Sequence, residues 1–225
     1  LKKIKVTKND LVIDIGSNDG TLLKYFKKKS KVLGIDPART VAKYAIKKNK
    51  VQTLIKFFDD SSSDLILQKY QCPKVITAFN VFAHTPSMIS LVQNIKKILH
   101  PNGLFIFEAQ YVGDVLKNNI LGTFFHEHIS HHSVASLKKL FQIHNLKIVD
   151  IRRVKIQKGS ILGMVAHKES FHKENSSLKD FLKFEDKNKI NKIESLKKFN
   201  ETVKKNKEHT NKIIKNYKNI IAYGA

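Results

Sequence analysis

The sequence is poor in the residues that build covalent cross-links and membrane spans. Cys72 is the only cysteine among 225 residues, which excludes a disulfide within the chain and a cysteine-cluster metal site. No apolar run approaches the roughly 18 residues that a membrane span needs. The stretch from Leu11 to Ile15 is too short for the core of a signal peptide. We therefore expect a cytoplasmic protein with no membrane partner and no metal.

Arginine is also scarce, although the formal net charge is +23. Of the 42 basic residues only Arg39, Arg152 and Arg153 are arginine. Nucleic-acid-binding proteins favour arginine, because its guanidinium group can form two parallel hydrogen bonds to a base or a phosphate. The lysines are spread along the whole chain, as a composition bias would place them. We expect no nucleic-acid partner, whereas a positive field favours an anionic small-molecule substrate.

Strand-like and helical patterns alternate through the first 110 residues, which predicts a parallel sheet with helices on both faces. Hydrophobic residues make up 41% of the chain, a globular composition. The predicted strands are Leu11–Ile15, Lys31–Ile35, Val51–Leu54, Lys74–Phe79 and Leu104–Phe107. The predicted helices lie near Gly20–Lys28, Ala38–Lys48, Ser62–Lys69 and Ser87–Leu99.

The pattern changes after the fifth strand. A helix capped by Ser133 is predicted to His144, followed by the antiparallel strands Lys147–Lys155 and Ser160–His167. Five parallel strands and such a hairpin form the usual seven-stranded, mostly parallel sheet of a class I, Rossmann-like methyltransferase. From Ser176 to Asn219, apolar residues at helical spacing predict one or two long amphipathic helices that connect domains or pack on a partner. A merely solvated face is the alternative.

A glycine-rich loop joins the first strand to the first helix and lets a ligand approach the backbone. A dinucleotide site prefers G-x-G-x-x-G, but Asn18 stands where the second glycine belongs. Asp14 and Asp19 add negative charge that repels a pyrophosphate and suits the sulfonium cation of S-adenosyl-L-methionine. A plain structural turn is the alternative. The loop reads Asp14, Ile15, Gly16, Ser17, Asn18, Asp19, Gly20.

Further cofactor contacts are expected at the ends of the next strands. Asp36 ends the second strand, where a carboxylate can accept both ribose hydroxyls. Phe58, beside Phe57 and Asp59, follows the third strand. Its ring can pack against the adenine of the cofactor, or it can belong to the core. The predicted cofactor-binding residues are Asp14, Gly16, Ser17, Asn18, Asp19, Gly20, Asp36, Pro37, Phe58, Asn80 and Val81.

The most unusual stretch is a histidine cluster that runs from Phe124 to His132. It holds His126, His128, His131 and His132 around Glu127. Proton transfer is one interpretation, because histidine titrates near neutrality and a neighbouring carboxylate can orient it. The spacing also approaches that of zinc hydrolases of the metallo-β-lactamase type, which have Asp where Ser130 stands. A solvated basic loop is a third interpretation.

Taken together and in order, these segments resemble the sugar C-methyltransferase family that modifies nucleotide-linked 4-keto-6-deoxy sugars at carbon 3. The resemblance covers nearly the whole chain, from about Asp10 to Ala225. The segments that carry it are Asp14 to Leu23, Gly34-Ile35-Asp36-Pro37, Asn80-Val81-Phe82-Ala83-His84, Glu108-Ala109-Gln110-Tyr111 and His126-Glu127-His128.

The resemblance implies the roles of the catalytic residues. A base removes the proton that the sugar ketone acidifies, and the enolate then takes the methyl group. By position, His128 is the expected base, with Glu127 orienting it and His126 nearby. His84 is expected across the pocket, where it helps to hold the ketone oxygen.

The resemblance also implies a longer polypeptide. A zinc-binding domain is expected before this chain, and a second Rossmann-like domain after it, opening at Tyr223-Gly224-Ala225. The start at Leu1 and the apolar ending agree with a fragment. The expected division is a methyltransferase core at 1–170, a helical linker at 171–219 and the start of the last domain at 220–225.

Two departures from the family pattern concern the acceptor. Phe125 stands where the family usually has tyrosine, which removes a hydroxyl donor, and Lys158-Gly159-Ser160 replaces G-G-S. Methylation of oxygen in another small molecule is therefore an alternative. A second alternative is an incomplete module that only binds the cofactor.

Overall fold

The computed structural model describes residues 4–221 and contains a seven-stranded sheet. The strand order is β3-β2-β1-β4-β5-β7-β6. The first five strands pair in parallel, and β7 runs antiparallel to both β5 and β6. The strands are β1 Leu11–Ile15, β2 Lys31–Ile35, β3 Thr53–Leu54, β4 Val75–Phe79, β5 Leu104–Gln110, β6 Leu146–Val154 and β7 Ser160–His167.

Eight α-helices accompany the sheet in this part of the chain. They are α1 Thr21–Phe26, α2 Arg39–Lys47, α3 Asp60–Lys69, α4 Met88–Ile98, α5 Val112–Asn118, α6 Val134–Ile143, α7 Ser176–Lys187 and α8 Ile193–Ile214. Short 3₁₀ turns lie at Phe82–His84, Leu121–Thr123 and Ile156–Lys158. Between residues 4 and 221 no helix is both long and apolar enough to span a bilayer.

The sheet separates two hydrophobic cores because successive strand residues point to opposite faces. In β1, Leu11 and Ile13 belong to one core and Val12 to the other. In β5, Phe105 belongs to the first core and Ile106 to the second. The continuous apolar runs of these strands follow from burial on both faces, as in other parallel sheets.

The predicted elements are present, with differences at their ends. The third strand is limited to Thr53–Leu54, whereas β5 continues to Gln110. Helix α3 begins at Asp60, earlier than predicted, because the Asp59 carboxylate caps it by accepting from the Ser62 N–H at 2.8 Å. Helix α5 was not predicted. It is capped by Asn119, whose left-handed conformation (φ 50°) is common at the ends of helices.

The lysine-rich C-terminal segment forms two helices, as predicted, and they differ in packing. In α7 the Leu178 and Glu185 side chains are buried. The Glu185 carboxylate accepts from the N–H groups of Val134 and Ala135 and so caps α6. Helix α8 has no buried residue. The connecting role of this segment stays a prediction, and Tyr223-Gly224-Ala225 lies outside the described residues.

Candidate functional site

The glycine loop after β1 lies against the segment that follows β4. Gly16 has φ 70°, and a Cβ at this position would lie 2.9 Å from Val81 Cγ2. The Gly16 N–H donates to the carbonyl of Ile35 at 2.8 Å. Only glycine therefore fits, and the parallel strands bring two predicted cofactor segments together at their carboxyl ends.

The Asp36 carboxylate joins the ends of β1 and β2. Its Oδ2 accepts from the Asn18 N–H at 2.8 Å, and its Oδ1 accepts from the Ala38 N–H, also at 2.8 Å. Asn18 adopts φ 50°, which directs its N–H toward the carboxylate. Each carboxylate oxygen keeps a further lone pair, so the oriented Asp36 can still accept from ribose hydroxyls.

The Asp14 carboxyl is buried at the end of β1, with 5% of its surface exposed. Thr77 Oγ1 donates to its Oδ1 at 2.6 Å. Burial raises the pKa of Asp14 to about 7, the Thr77 hydrogen bond opposes this rise, and the charge of Asp36 adds to it. Two carboxyl groups thus lie beside the glycine loop, and these hydrogen-bond acceptors fit a ligand with positive charge and hydroxyls.

Other predicted cofactor residues have local structural contacts. The Ser17 side chain is buried over Gly34, where a Cβ would lie 2.4 Å from Ser17 Oγ. The Asp19 carboxylate accepts from the N–H and hydroxyl of Thr21, both at 2.9 Å, at the start of α1. Gly20 is buried with φ 77°. These contacts fix the shape of the loop.

The predicted residues beyond the glycine loop differ in exposure. Pro37 is exposed, directly after Asp36. Phe58 is half-buried and packs on the first core, whereas Phe57 is 72% exposed. Asn80 is exposed at the end of β4 with φ 56°. Its N–H donates to the Glu108 carbonyl at 3.1 Å, which ties this turn to β5.

His128 has one ring nitrogen in a hydrogen bond. Its Nδ1 lies 3.0 Å from the carbonyl oxygen of Thr123. Since a carbonyl only accepts, Nδ1 carries the proton, and Nε2 of the neutral ring keeps its lone pair. Burial lowers the pKa of His128, His84 lowers it further, and Thr123 and Glu127 oppose this shift. The ring is therefore held as a neutral base with Nε2 available.

His84 and Phe125 border the His128 ring. The two histidine rings are 4.8 Å apart in an edge arrangement, and the Phe125 ring centroid is 4.2 Å from that of His128. These three residues line a cavity of about 860 Å³ together with Asn80. His84 thus lies beside His128 in the cavity, whereas the sequence predicts it across the pocket.

Glu127 and His126 are placed differently from the prediction. The sequence predicts that Glu127 orients His128, but the structure gives this role to the Thr123 carbonyl. Glu127 Oε1 instead lies 3.8 Å from His126 Nε2, and the His126 side chain is 90% exposed. Glu127 and His128 both line the cavity, but only His128 has a hydrogen bond that orients its ring.

His132 holds the loop in place, and the His131 ring packs against that of Phe124. Burial lowers the pKa of His132 to about 4, and its Nε2 lies 3.0 Å from Ser130 Oγ. The Ile129 N–H donates to the carbonyl of Ala83 at 2.7 Å, in the turn after β4. No group of three histidine, cysteine or acidic side chains in residues 4–221 is arranged to hold a metal ion.

Three residues of this site were not predicted as site residues. Thr123 acts through its backbone carbonyl, which every residue has, so the residue type gives no indication of this role. Gln110 and Lys158 line the same cavity as His128. The replacement of glycine by lysine at position 158 is a signal that the sequence contains, and the length of β5 decides where Gln110 lies.

Comparison with known proteins agrees with this architecture. Residues 5–151 match the model of a methyltransferase domain, and residues 155–225 match a C-methyltransferase C-terminal domain. The chain is 32% identical over 183 residues to the C-methyltransferase NovU of Streptomyces niveus. This match covers 81% of the chain but only 43% of the relative, so the chain spans less than half of that protein.

Solved structures show the same fold at low sequence identity. An S-adenosylmethionine-dependent methyltransferase of Anabaena variabilis aligns with a TM-score of 0.59 at 15% identity, over 73% of this chain and 80% of that one. Magnesium protoporphyrin IX methyltransferase of Synechocystis, solved with bound S-adenosylhomocysteine, aligns with a TM-score of 0.53 at 14% identity, over 71% and 74%.

The predicted class I, Rossmann-like fold is therefore confirmed, and the acidic glycine loop lies where a parallel sheet of this kind binds its ligand. The methyltransferase-domain match covers more than half of the chain. The chain belongs to the S-adenosyl-L-methionine-dependent methyltransferase family, and its last part matches a C-methyltransferase C-terminal domain.

Proposed function

We propose that the protein methylates carbon in a nucleotide-linked keto-deoxy sugar, at a position next to the ketone. The observation that carries this proposal is the neutral His128 ring, whose Nδ1 is fixed by the Thr123 carbonyl and whose Nε2 is free. Methylation of carbon requires removal of a proton from carbon, and a positioned base supplies this step. Methylation of a hydroxyl oxygen depends less on such a base, because a hydroxyl proton is easier to remove than a proton on carbon.

In the proposed reaction, His128 Nε2 takes the proton from the carbon beside the ketone. The electron pair of the broken C–H bond moves toward the carbonyl, and negative charge develops on the ketone oxygen. His84, next to His128 in the same cavity, donates a hydrogen bond to that oxygen. A positioned base contributes about 10²- to 10⁴-fold to such a step.

The methyl donor is held by the loop after β1 and its neighbours. The Asp36 carboxylate accepts from the ribose hydroxyls, Gly16 lets the ligand approach the backbone, and Asn80 and Val81 follow β4 at the same edge. When bound, S-adenosyl-L-methionine supplies an electrophilic methyl group on a positively charged sulfur. The buried Asp14 places a carboxyl beside this charge.

The proposal extends to the polypeptide that contains this chain. We propose a methyltransferase core at 1–170, a helical linker at 171–219, and a following domain that starts at 220–225. The partial coverage of NovU supports a longer polypeptide, and residues 155–225, from the end of the core onward, match a C-methyltransferase C-terminal domain. Neighbouring domains then complete the binding of the acceptor.

The test is methyl transfer by the purified full-length polypeptide that contains this chain to a nucleoside diphosphate-linked 4-keto-6-deoxyhexose, followed by NMR of the product. The control acceptor is the same sugar with its ketone reduced to a hydroxyl. The proposal predicts a new carbon–carbon bond next to the ketone and no reaction of the control. An O-methyl product would support the oxygen-methylation alternative, and donor binding without transfer to either acceptor would support the cofactor-binding module.

A further inference from the structure

The cavity that holds His84 and His128 has a second wall, formed by Gln110 and Lys158. Gln110 ends β5 and pairs with Ser160 of β7. The Tyr111 N–H donates to the carbonyl of Gly159 at 3.2 Å. The antiparallel pairing of β5 and β7 therefore places Lys158 next to the end of β5, although 48 positions separate the two residues in the chain.

The backbone at Lys158 is held in an unfavourable conformation. Its φ is 65°, in the left-handed region that favours glycine. The neighbouring Gly159 has φ 148°, and a Cβ there would lie 2.4 Å from atoms of Asp114. The Asp114 carboxylate accepts from Arg153 Nε at 2.9 Å, which fixes the turn from the other side. Lys50 and Lys189 share this conformation, so what distinguishes Lys158 is that its turn is fixed beside a cavity.

The charge of Lys158 is available for a ligand. Among residues 4–221, no carboxylate forms an ion pair with it. Arg153, in contrast, is neutralised by Asp114. Lys158 also lines a second cavity of about 470 Å³, together with Arg153 and Asp114.

Gln110 contributes a buried acceptor without a partner. Only 7% of its surface is exposed, and its Oε1 has no hydrogen bond within the described part of the chain. A buried polar atom without a partner is unfavourable, and most such atoms in proteins are paired. This atom is also shielded from solvent, so a hydroxyl group of a ligand donates to it only after the Gln110 amide turns toward the cavity that the residue lines.

We infer that Lys158 and Gln110 form an acceptor-recognition subsite, in which Lys158 binds a phosphate of the acceptor and Gln110 accepts from a sugar hydroxyl. This inference rests on the proposed function for the nature of the acceptor and names two residues that select it. The ligand class is a nucleoside diphosphate carrying a polyhydroxyl group. The expected geometry puts the phosphate at Lys158 and the sugar toward His128.

The first test is calorimetric titration of the protein with uridine and thymidine diphosphates and with the uncharged nucleosides. The Lys158→Gly variant removes the ammonium group and relieves the left-handed backbone, so its fold is retained. We expect the dissociation constant for the diphosphates to rise about 10- to 100-fold, as for loss of a charge-assisted hydrogen bond. The Lys117→Ala variant, on the exposed side of α5, is the matched charge control and stays within about twofold.

Equal affinity in wild type and Lys158→Gly, an equal loss in Lys117→Ala, or no binding of diphosphates by wild type would each overturn the inference. These titrations need no turnover. Failure of methyl transfer with intact diphosphate binding would contradict the proposed function and leave the subsite standing.

The second test uses Gln110→Met, which keeps the size of the side chain but removes the acceptor. We expect unchanged affinity for a nucleoside diphosphate, about a tenfold weaker affinity for the corresponding diphosphate-linked hexose, and an unchanged or higher Tm. A lower Tm with unchanged affinity for the linked hexose would show that Gln110 only supports the fold.

Discussion

The two halves of the candidate site are built in different ways. On the cofactor side, the Asp36 carboxylate is fixed by N–H groups at the ends of neighbouring strands. On the acceptor side, residues 121–132 form a loop that is held by contacts between aromatic rings and by isolated hydrogen bonds to backbone carbonyls. The hydrogen bond from His128 to the Thr123 carbonyl is an example. Sheet topology thus sets the first half, and local contacts set the second.

This difference predicts that mutations in the two halves have separable effects. Changes in the loop should alter turnover and leave donor affinity intact, whereas changes at the ends of β1 and β2 should do the reverse. Mixed effects would show that the halves are coupled.

The largest effect is expected from His128→Ala. The variant loses Nε2 as a base, so methyl transfer should fall about 10²- to 10⁴-fold, with the affinity for S-adenosylmethionine unchanged by calorimetry. The control His126→Ala removes a ring that is 90% exposed and should change the rate only a few-fold. A parallel loss of donor affinity in His128→Ala would contradict the separation.

The next effect concerns stability and its pH dependence at Asp14. Burial raises the pKa of this carboxyl from 3.8 to about 7. The folded state therefore binds more protons than the unfolded state between these values, and the free energy of unfolding falls as pH rises through this window. The Asp14→Asn variant has no such titration. Its free energy of unfolding should therefore exceed that of the wild type by an amount that grows from pH 4 to pH 8 and approaches about 4 kcal/mol.

Chemical denaturation of both proteins across this pH range measures the effect. An advantage that does not change with pH would mean that Asp14 keeps an ordinary pKa. The same variant should bind the donor more weakly above pH 7, where wild-type Asp14 is ionised beside the positive sulfur.

Asp36→Ala should weaken donor binding about 10- to 100-fold, since it removes a charged acceptor of hydrogen bonds. The maximal rate at saturating donor should change far less. Asp64→Ala is the control, because it removes an exposed carboxylate of α3 that pairs with Lys97 and should leave donor affinity unchanged. Equal donor binding by wild type and Asp36→Ala would remove Asp36 from the cofactor site.

The smallest effect is expected from Glu127→Gln. Glu127 raises the pKa of His128, so its neutralisation lowers that pKa further. The acidic limb of the kcat/KM profile should move slightly toward lower pH, with a change in rate of only a few-fold. A loss of rate as large as that of His128→Ala would give Glu127 a direct role.

The sheet and the cofactor side were predictable from the sequence for a physical reason. Buried parallel strands are continuous apolar runs, and parallel pairing brings their carboxyl ends to one edge. The predicted meeting of Gly16, Asp36 and Val81 needs no further information. The length of β5 was missed because Glu108 and Gln110 are polar, yet the antiparallel pairing with β7 buries both.

The acceptor side was only partly predictable. The residue types in the histidine cluster indicated proton transfer, but the partner of His128 is a backbone carbonyl, which every residue possesses. The edge contact between His84 and His128 depends on how the loop returns to the turn after β4 through Ile129 and Ala83. Such contacts between distant segments have no local signature.

The most direct test of the central claim is proton exchange of the acceptor in D₂O, followed by NMR without methyl transfer. The protein is incubated with the keto sugar nucleotide and S-adenosylhomocysteine, and the signal of the proton beside the ketone is recorded over time. We predict that this signal disappears with wild-type protein and persists with His128→Ala. Equal exchange by both proteins, or none by wild type, would contradict the assignment of His128 Nε2 as the base.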